Sequence, residues 1–192
     1  MQRKWVHLFW GGLIPILYYF LPTFVSQILL IIITGIFLVL EFLRLNHPTI
    51  KNIFHGIFGS VIRQHEHTSL TGATYLLLSA LTCSLTMKKI VVVTAMGYLV
   101  FGDTTAALAG KKWGRFKIFN KTLEGSLACF LSCLVIGLIT VNLPNSSLSY
   151  LIIVVGAVVA TLTELFPIPL DDNLRIPLIS GGVIQILLKT LC

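Results

Sequence analysis

Charged residues are scarce in this sequence. Lysine, arginine, aspartate and glutamate make up 11% of its 192 residues, against about 25% in an ordinary soluble domain. A surface facing water on every side cannot be built from that composition, so a soluble globular fold is excluded. Acidic residues are the scarcest, seven against fourteen lysines and arginines. The four cysteines include no C-x-x-C pair and no metal-ligand spacing, which argues against a zinc site or a dithiol redox motif. Cys129 and Cys133 stand i, i+4 in an apolar run and read as small core residues. Also missing are an internal repeat, a low-complexity tract and a long polar linker, so residues 1–192 read as a single integral membrane domain. The first apolar run follows Arg3 and Lys4 but is not followed by a small-x-small cleavage site. It reads as a retained first helix.

What is abundant is apolar sequence, 56% of residues with a mean hydropathy of +0.92. Runs of spanning length recur between short polar breaks. They predict an all-α, polytopic membrane helix bundle of about seven transmembrane helices, near 5–22, 25–43, 70–86, 90–110, 123–142, 149–166 and 174–190. Pro22, Pro144 and the pair Pro167 and Pro169 mark ends, because proline cannot donate to a helix ladder. The longest break, 44–69, has room for a short interfacial helix.

Seven spans place alternate breaks on opposite sides. The N-terminal side collects eleven basic residues: Arg3, Lys4, Arg44, Lys51, Arg63, Lys111, Lys112, Arg115, Lys117, Lys121 and Arg175. The other side holds three, Lys88, Lys89 and Lys189. The positive-inside rule makes the N-terminal side cytoplasmic, and the net charge of +7 is then a matter of topology rather than of nucleic-acid binding. All seven acids, Glu41, Glu66, Asp103, Glu124, Glu164, Asp171 and Asp172, fall on the same side, although that rule does not govern them. Asp103 lies roughly 20 Å along its span at 1.5 Å per residue. An intramembrane carboxylate costs at least about 2.5 kcal/mol and marks function by default.

The densest signal runs from Gly102-Asp103 through Ala106, Ala107, Ala109, Gly110, Lys111, Lys112, Gly114 and Arg115 to Lys121-Thr122-Leu123-Glu124-Gly125. Small residues allow close approach of backbones or a ligand. Lys111, Lys112, Arg115, Lys117 and Lys121 offer positive charge to phosphates, while Asp103 and Glu124 are oxygen ligands of the kind Mg²⁺ prefers. Thr122 or Asn120 can cap the next helix, and the N-terminal ends of the odd-numbered spans gather on this side, where helix dipoles favour anions. Asp171-Asp172-Asn173 opens the last span in the same region. His65-Glu66-His67 is not read as a metal site, since residues two apart diverge on a helix.

At these residues the chain resembles the CTP-dependent polyprenol, dolichol, phytol and diacylglycerol kinases, which are related to CDP-diacylglycerol synthases. Arg3-Lys4 with His7 resembles the opening basic-histidine motif. Glu41 with Arg44 resembles E-x-x-R. Arg63, Glu66, Leu70, Thr71, Gly72, Ala73 and Tyr75 resemble R-x-x-E followed by L-T-G-A-x-Y. Gly102-Asp103, Gly110, Gly114 and Lys121-Thr122 with Glu124-Gly125 resemble the central nucleotide motif, and Glu164, Asp172-Asn173 and Pro177 the final one. The later K-R-x-x-K-D, H-G-G and D-R signature of the synthases does not occur.

The resemblance implies transfer of the γ-phosphoryl group of CTP to the hydroxyl of a membrane lipid at the cytoplasmic face. It implies nucleotide contacts from Gly102, Gly110, Lys111, Gly114, Arg115, Lys121, Thr122, Glu124 and Gly125. Mg²⁺ would be held by Asp103 and Asp172, with Glu124 and Asn173 as further ligands. Asp103, Lys121 and one of Glu66 or Glu164 as proton acceptor complete the expected catalytic set. The partners implied are a lipid alcohol, a nucleoside triphosphate and the bilayer, with no nucleic acid. The membrane would be the plasma membrane in a bacterium and the endoplasmic reticulum in a eukaryote. Two alternatives are a phosphatidate cytidylyltransferase, which would move CMP instead, and a non-enzymatic transporter, which would more naturally place its acids near the midplane.

Overall fold

The computed structural model describes residues 2–59 and 62–191. The side chains of Gln2, Arg3, His55, Ile57, Phe58 and His65 lie outside that description, so the expectations placed on Arg3, His65 and Cys192 fall beyond it. Nine α-helices occur among the described residues: α1 (Gln2–Phe20), α2 (Thr23–Asn46), α3 (Pro48–Phe58), α4 (Gly72–Thr86), α5 (Lys89–Gly97), α6 (Asp103–Trp113), α7 (Leu123–Val141), α8 (Tyr150–Leu165) and α9 (Asp172–Leu191). A 3₁₀ turn at Gln64–His67 and a π-helical step at Tyr98–Gly102 complete the helical elements, and a two-stranded hairpin pairs β1 (Lys117–Ile118) with β2 (Lys121–Thr122).

Four helices are long and apolar enough to cross a membrane: Thr23–Asn46, the continuous Lys89–Trp113, Leu123–Val141 and Asp172–Leu191. Gly72–Thr86 and Tyr150–Leu165 are shorter apolar helices. Helices lie at the seven expected positions, with ends within a few residues of those read from the sequence, and four of them have spanning length and composition. The 44–69 break contains the short helix α3.

Helix α2 is built inside out relative to a helix of a soluble protein. In the most apolar stretch of α2 only 22% of residues are buried, and the buried positions of this helix are Ser26, Leu30, Thr34, Glu41 and Arg44. Ile31, Ile32, Ile36, Val39 and Leu40 face outward. Apolar exposure around a polar interior is stable only when the surrounding medium is itself apolar. The α5–α6 helix is the opposite case, 83% buried in its most apolar stretch. Val91, Val92, Ala95, Met96, Tyr98, Leu99 and Val100 have no exposed surface. This helix is the axis of the bundle; α1, α4, α7 and α9 pack around it.

The axial helix is not regular, as a spacing argument alone assumes. The π step at Tyr98–Gly102 adds a residue to one turn immediately before Asp103, which turns the following residues by about 100° relative to an unbroken helix. Side chains cover the carbonyls there. The Thr105 hydroxyl donates to the Phe101 and Gly102 carbonyls at 2.9 and 3.0 Å, and Cys133 Sγ donates to the Tyr98 carbonyl at 3.8 Å.

At one end of α2 the Arg44 guanidinium, 1% exposed, is fully engaged. It pairs with the Glu41 carboxylate through Nε at 2.8 Å and also through Nη2. It donates onward to the Glu66 carbonyl at 2.8 Å and the Ser69 carbonyl at 2.7 Å. The other Glu41 oxygen accepts from the Thr71 amide and the Thr74 hydroxyl, both at 2.9 Å. Breaking such a pair from one side strands a buried charge and costs about 3–5 kcal/mol. Arg44→Met and Glu41→Gln are each expected to lower the thermal midpoint of the purified protein in detergent, and the double variant to lose less than the sum of the two. Strictly additive losses would show that the pair does not act as a unit.

Candidate functional site

The carboxylates and their cations converge at one end of the bundle. A cavity of about 400 Å³ opens there, lined by Lys4, Arg63, Asp103, Ala106, Ala107, Gly110, Lys111, Asn120, Lys121, Thr122, Gly125, Ser126, Glu164 and Asp172. Its wall is made by α6 and the start of α7, which the hairpin joins. Ala106, Gly110 and Gly125 bring these two helices together: a Cβ on Gly125 would lie 2.8 Å from the Ala106 carbonyl oxygen, and one on Gly110 would lie 2.8 Å from Thr122 Oγ1. Thr122 caps α7 by accepting the Gly125 amide at 3.2 Å, as its place before the apolar run anticipates.

Asp103 lies on the π-shifted face of the axial helix, and its Oδ2 accepts from Lys4 Nζ of α1 at 2.5 Å, with His7 Nε2 at 4.0 Å. Lys121 bridges two elements, donating to Glu164 Oε1 of α8 at 2.5 Å and to Asp172 Oδ2 of α9 at 3.1 Å. Burial works against the Lys121 ammonium, but the Asp172 and Glu164 carboxylates outweigh it and hold its pKa above the ordinary lysine value. Asp172 is gripped from its other oxygen by Arg175, through Nε at 2.8 Å and through Nη2. The second oxygen of Glu164, Oε2, is buried with no hydrogen-bond partner. An unsatisfied acceptor in a polar cavity is the exception among buried groups and calls for a functional reason. Lys111 lines the same cavity and makes no ion pair among the described residues.

Not every expected residue reaches this cavity. Gly102 and Gly114 do not line it: a Cβ on Gly102 would meet Cys133 Sγ of α7 at 2.9 Å, a helix-packing position, and one on Gly114 would strike the Gly110 carbonyl and Thr122, where α6 ends against the hairpin. Arg115 projects outward, and Glu124 Oε1 accepts the Arg115 and Phe116 amides at 3.0 and 3.3 Å, fixing the turn into the hairpin. Asn173 donates through Nδ2 to the Gly72 carbonyl at 3.1 Å. Glu66 spends its two oxygens on the Gly72 and Arg63 amides at 3.2 and 3.0 Å. The Glu124, Asn173 and Glu66 side chains thus join elements together, whereas Asp103, Glu164, Asp172, Lys111 and Lys121 face the cavity.

Among the described residues no three His, Cys, Asp or Glu side chains gather into a cage for a metal ion. Mg²⁺ does not require one: it is commonly held by one or two carboxylates together with substrate phosphates. Asp103, Glu164 and Asp172, on three different helices of one cavity, fit that pattern. Sequence reasoning missed Lys4 as the partner of Asp103 and Arg175 as the partner of Asp172. The i, i+3 spacing of Asp172 and Arg175 was a readable signal for the second; nothing local pairs residue 4 with residue 103.

A protein of Rickettsia prowazekii, itself uncharacterized, is 30% identical to this chain over 182 residues, covering 92% of the chain and 89% of that protein. The CTP-dependent diacylglycerol kinase 1 of Schizosaccharomyces pombe is 25% identical over 162 residues, covering 77% of the chain and 74% of the kinase. The protein of the same name in Saccharomyces cerevisiae is 29% identical over 182 residues, covering 81% of the chain and 61% of the kinase. No family model matches the sequence, and no solved structure matches it.

The close α6–α7 contact behind the cavity has a measurable consequence. Gly125→Val is expected to destabilise the purified protein by about 1–3 kcal/mol through overpacking. Gly12→Ala, where a Cβ meets nothing within 4 Å, should leave the thermal midpoint unchanged or raise it. Equal tolerance of the two substitutions would mean that Gly125 is not a packing constraint.

Proposed function

We propose, from the premise that this chain belongs to one family with the Rickettsia prowazekii protein and is a distant relative of the CTP-dependent diacylglycerol kinases, that it transfers the γ-phosphoryl group of CTP to the hydroxyl of a membrane lipid alcohol. The observation that carries this reading is Lys121, held between Glu164 and Asp172 on the floor of a cavity that Asp103 and Lys111 also line. Phosphoryl transfer needs positioning and charge neutralisation more than covalent help from the protein, and this is a set of charges held by three helices and the hairpin between α6 and α7.

Without nucleotide, Lys4 is occupied by Asp103 and Lys121 by Glu164 and Asp172. A triphosphate is a denser anion than any one carboxylate, so its oxygens draw Lys4, Lys111 and Lys121 to themselves. Asp103 and Asp172 would hold an Mg²⁺ accompanying the nucleotide, and such an ion would supply neutralisation of charge on the phosphate oxygens. The lipid oxygen attacks the γ-phosphorus. The new O–P bond forms as the bond from phosphorus to the β,γ-bridging oxygen breaks, and CDP leaves with that electron pair. Glu164 accepts the hydroxyl proton and passes it to water. Its unpartnered Oε2 supports this role over Glu66, whose oxygens are both committed to backbone amides.

The excess of basic residues on the N-terminal side supports a cytoplasmic site. Lys112→Cys, on a Cys192→Ser background, should react with an impermeant maleimide only from the cytoplasmic face of sealed vesicles, since Cys83, Cys129 and Cys133 are buried. Labelling from the opposite face would invert the topology.

The reaction is tested with purified protein, lipid alcohols and CTP labelled at either the α or the γ phosphorus. Label should enter the lipid from the γ position alone; α label there would instead mark a cytidylyltransferase. Asp103→Asn and Lys121→Gln should each slow transfer about 10²–10³-fold, the scale of losing one preorganised charge at a transition state. Transfer unimpaired by Asp103→Asn sinks the assignment.

A further inference from the structure

A second cavity, of about 500 Å³, opens beside the first and shares Arg63, Asn120, Lys121 and Asp172 with it. Its walls are of a different kind. One side is the connection between α8 and α9, where Phe166, Pro167, Ile168, Pro169 and Leu170 follow one another. This strap has a fixed backbone. Two of its five residues are prolines, which lack an N–H and hold φ near −65°. The Ile168 amide donates to the Phe166 carbonyl at 2.9 Å and the Leu170 amide to the Ile168 carbonyl at 2.8 Å, two tight three-residue turns in succession. Arg175 Nη1 donates to the Phe166 carbonyl at 2.5 Å from the inner side.

On that rigid backbone Phe166, Ile168 and Leu170 are 47%, 41% and 56% exposed. The hairpin extends the same apolar edge. Phe119 occupies its turn with φ 53°, a region that costs a residue with a Cβ about 1–2 kcal/mol. Its ring lies 5.9 Å from that of Phe166. Rigid, outward apolar groups at a cavity mouth, one of them in a strained turn, suit an apolar occupant rather than water.

The floor is polar yet has no charge to spare. Arg63 is paired with Asp171 at 2.9 Å, Lys121 with Glu164 and Asp172, and Arg175 with Asp172. Glu66 lies 3.8 Å from Arg63. Of these groups Asp171 and Asp172 line the cavity with the three cations, while Glu66 and Glu164 hold Arg63 and Lys121 from beyond the lining. Among the described residues this lining has no unpaired cation like Lys111 of the neighbouring cavity, so a lipid phosphate entering here would have to displace a carboxylate with no free charge to draw it in. A hydroxyl faces no such competition, since it can donate to a carboxylate and accept from an ammonium at once.

We infer that this second cavity is the acceptor site and takes an uncharged lipid alcohol, its hydroxyl over Lys121 and Asp172 and its chain along Phe166, Ile168 and Leu170. This rests on the transfer reaction proposed above and adds the site and the charge class of its substrate. The two cavities meet at Lys121 and Asp172, so donor and acceptor approach from opposite sides of one ion pair. Phosphatidate, the acceptor of the cytidylyltransferase alternative, is the wrong charge class for this floor.

The test is photolabelling, which needs no turnover. The whole protein in phosphatidylcholine vesicles is irradiated with a diacylglycerol carrying a diazirine near its glycerol end, and the labelled peptides are mapped. Label is expected on residues 165–175, lost with excess unlabelled diacylglycerol and retained with excess phosphatidate. In turnover, Ile168→Asp should raise KM for the lipid about tenfold or more, the scale of a lost apolar contact in a substrate pocket, and leave KM for CTP unchanged. Label confined to other helices, or phosphatidate competing as well as diacylglycerol, overturns the assignment. If the strap is labelled competitively but no lipid receives γ-phosphate, the binding site holds and the transfer reading fails. If transfer proceeds and Ile168→Asp leaves both KM values unchanged, the transfer reading holds and this site falls.

Discussion

Charges inside an apolar bundle must be neutralised by neighbours, because no water is there to do it. That constraint organises one end of this protein. Arg44 cannot remain buried without Glu41, and once fixed it also seizes the Glu66 and Ser69 carbonyls, tying the irregular 62–71 segment to α2. Glu66 then sets the start of α4 through the Gly72 amide. Arg63 carries the linkage to Asp171, and Asn173 returns it to the Gly72 carbonyl. Lys121 and Arg175 extend it to α8 and α9. Each pairing satisfies a local requirement, and together they bring residues more than a hundred positions apart into one chamber.

The same requirement explains how a site for a highly charged nucleotide can exist before the nucleotide arrives. A row of bare carboxylates would repel one another and the triphosphate alike. Here lysines neutralise them in advance: Lys4 on Asp103, and Lys121 on Glu164 and Asp172. Binding of an anion here is then an exchange of partners at cations already neutralised, not the filling of a bare charged site. Such preorganisation lowers the reorganisation needed at the moment of reaction.

The helices and the gathering of acids on one side were legible because both follow from composition and from the width of a bilayer. Apolar runs between polar breaks marked where the helices lie, four of them long enough to cross a membrane, and the acids stood at the breaks of one parity in the sequence. Three features were not legible, for separable reasons. The π step before Asp103 leaves no mark in a uniformly apolar run; in the fold Cys133 of α7 lies against it at Tyr98 and Gly102. The hairpin at 117–122 is too short for a periodic signal, and it places Phe119 where turn chemistry favours glycine or asparagine. The glycines of the central motif were read as room for a ligand or for close backbone approach; Gly110 and Gly125 line the cavity, whereas Gly102 packs against Cys133 of α7 and Gly114 lets α6 end against Thr122 of the hairpin. Small residues in a membrane bundle answer to both demands, and spacing does not separate them.

The strap between α8 and α9 shows why pairing and packing must be read together. In a soluble protein its alternating proline and apolar residues would be an ordinary stiff connection. Here it adjoins a floor whose cations are all spoken for, so the strap offers apolar surface and the floor offers hydrogen bonds without net attraction for an anion. A neutral amphiphile satisfies both surfaces at once; a free nucleotide satisfies neither. The neighbouring cavity has the reverse character, with Lys111 unpaired and small residues in place of apolar ones. Two substrates of opposite polarity can thus be sorted by two adjoining cavities, with the reacting groups meeting at the charged boundary between them.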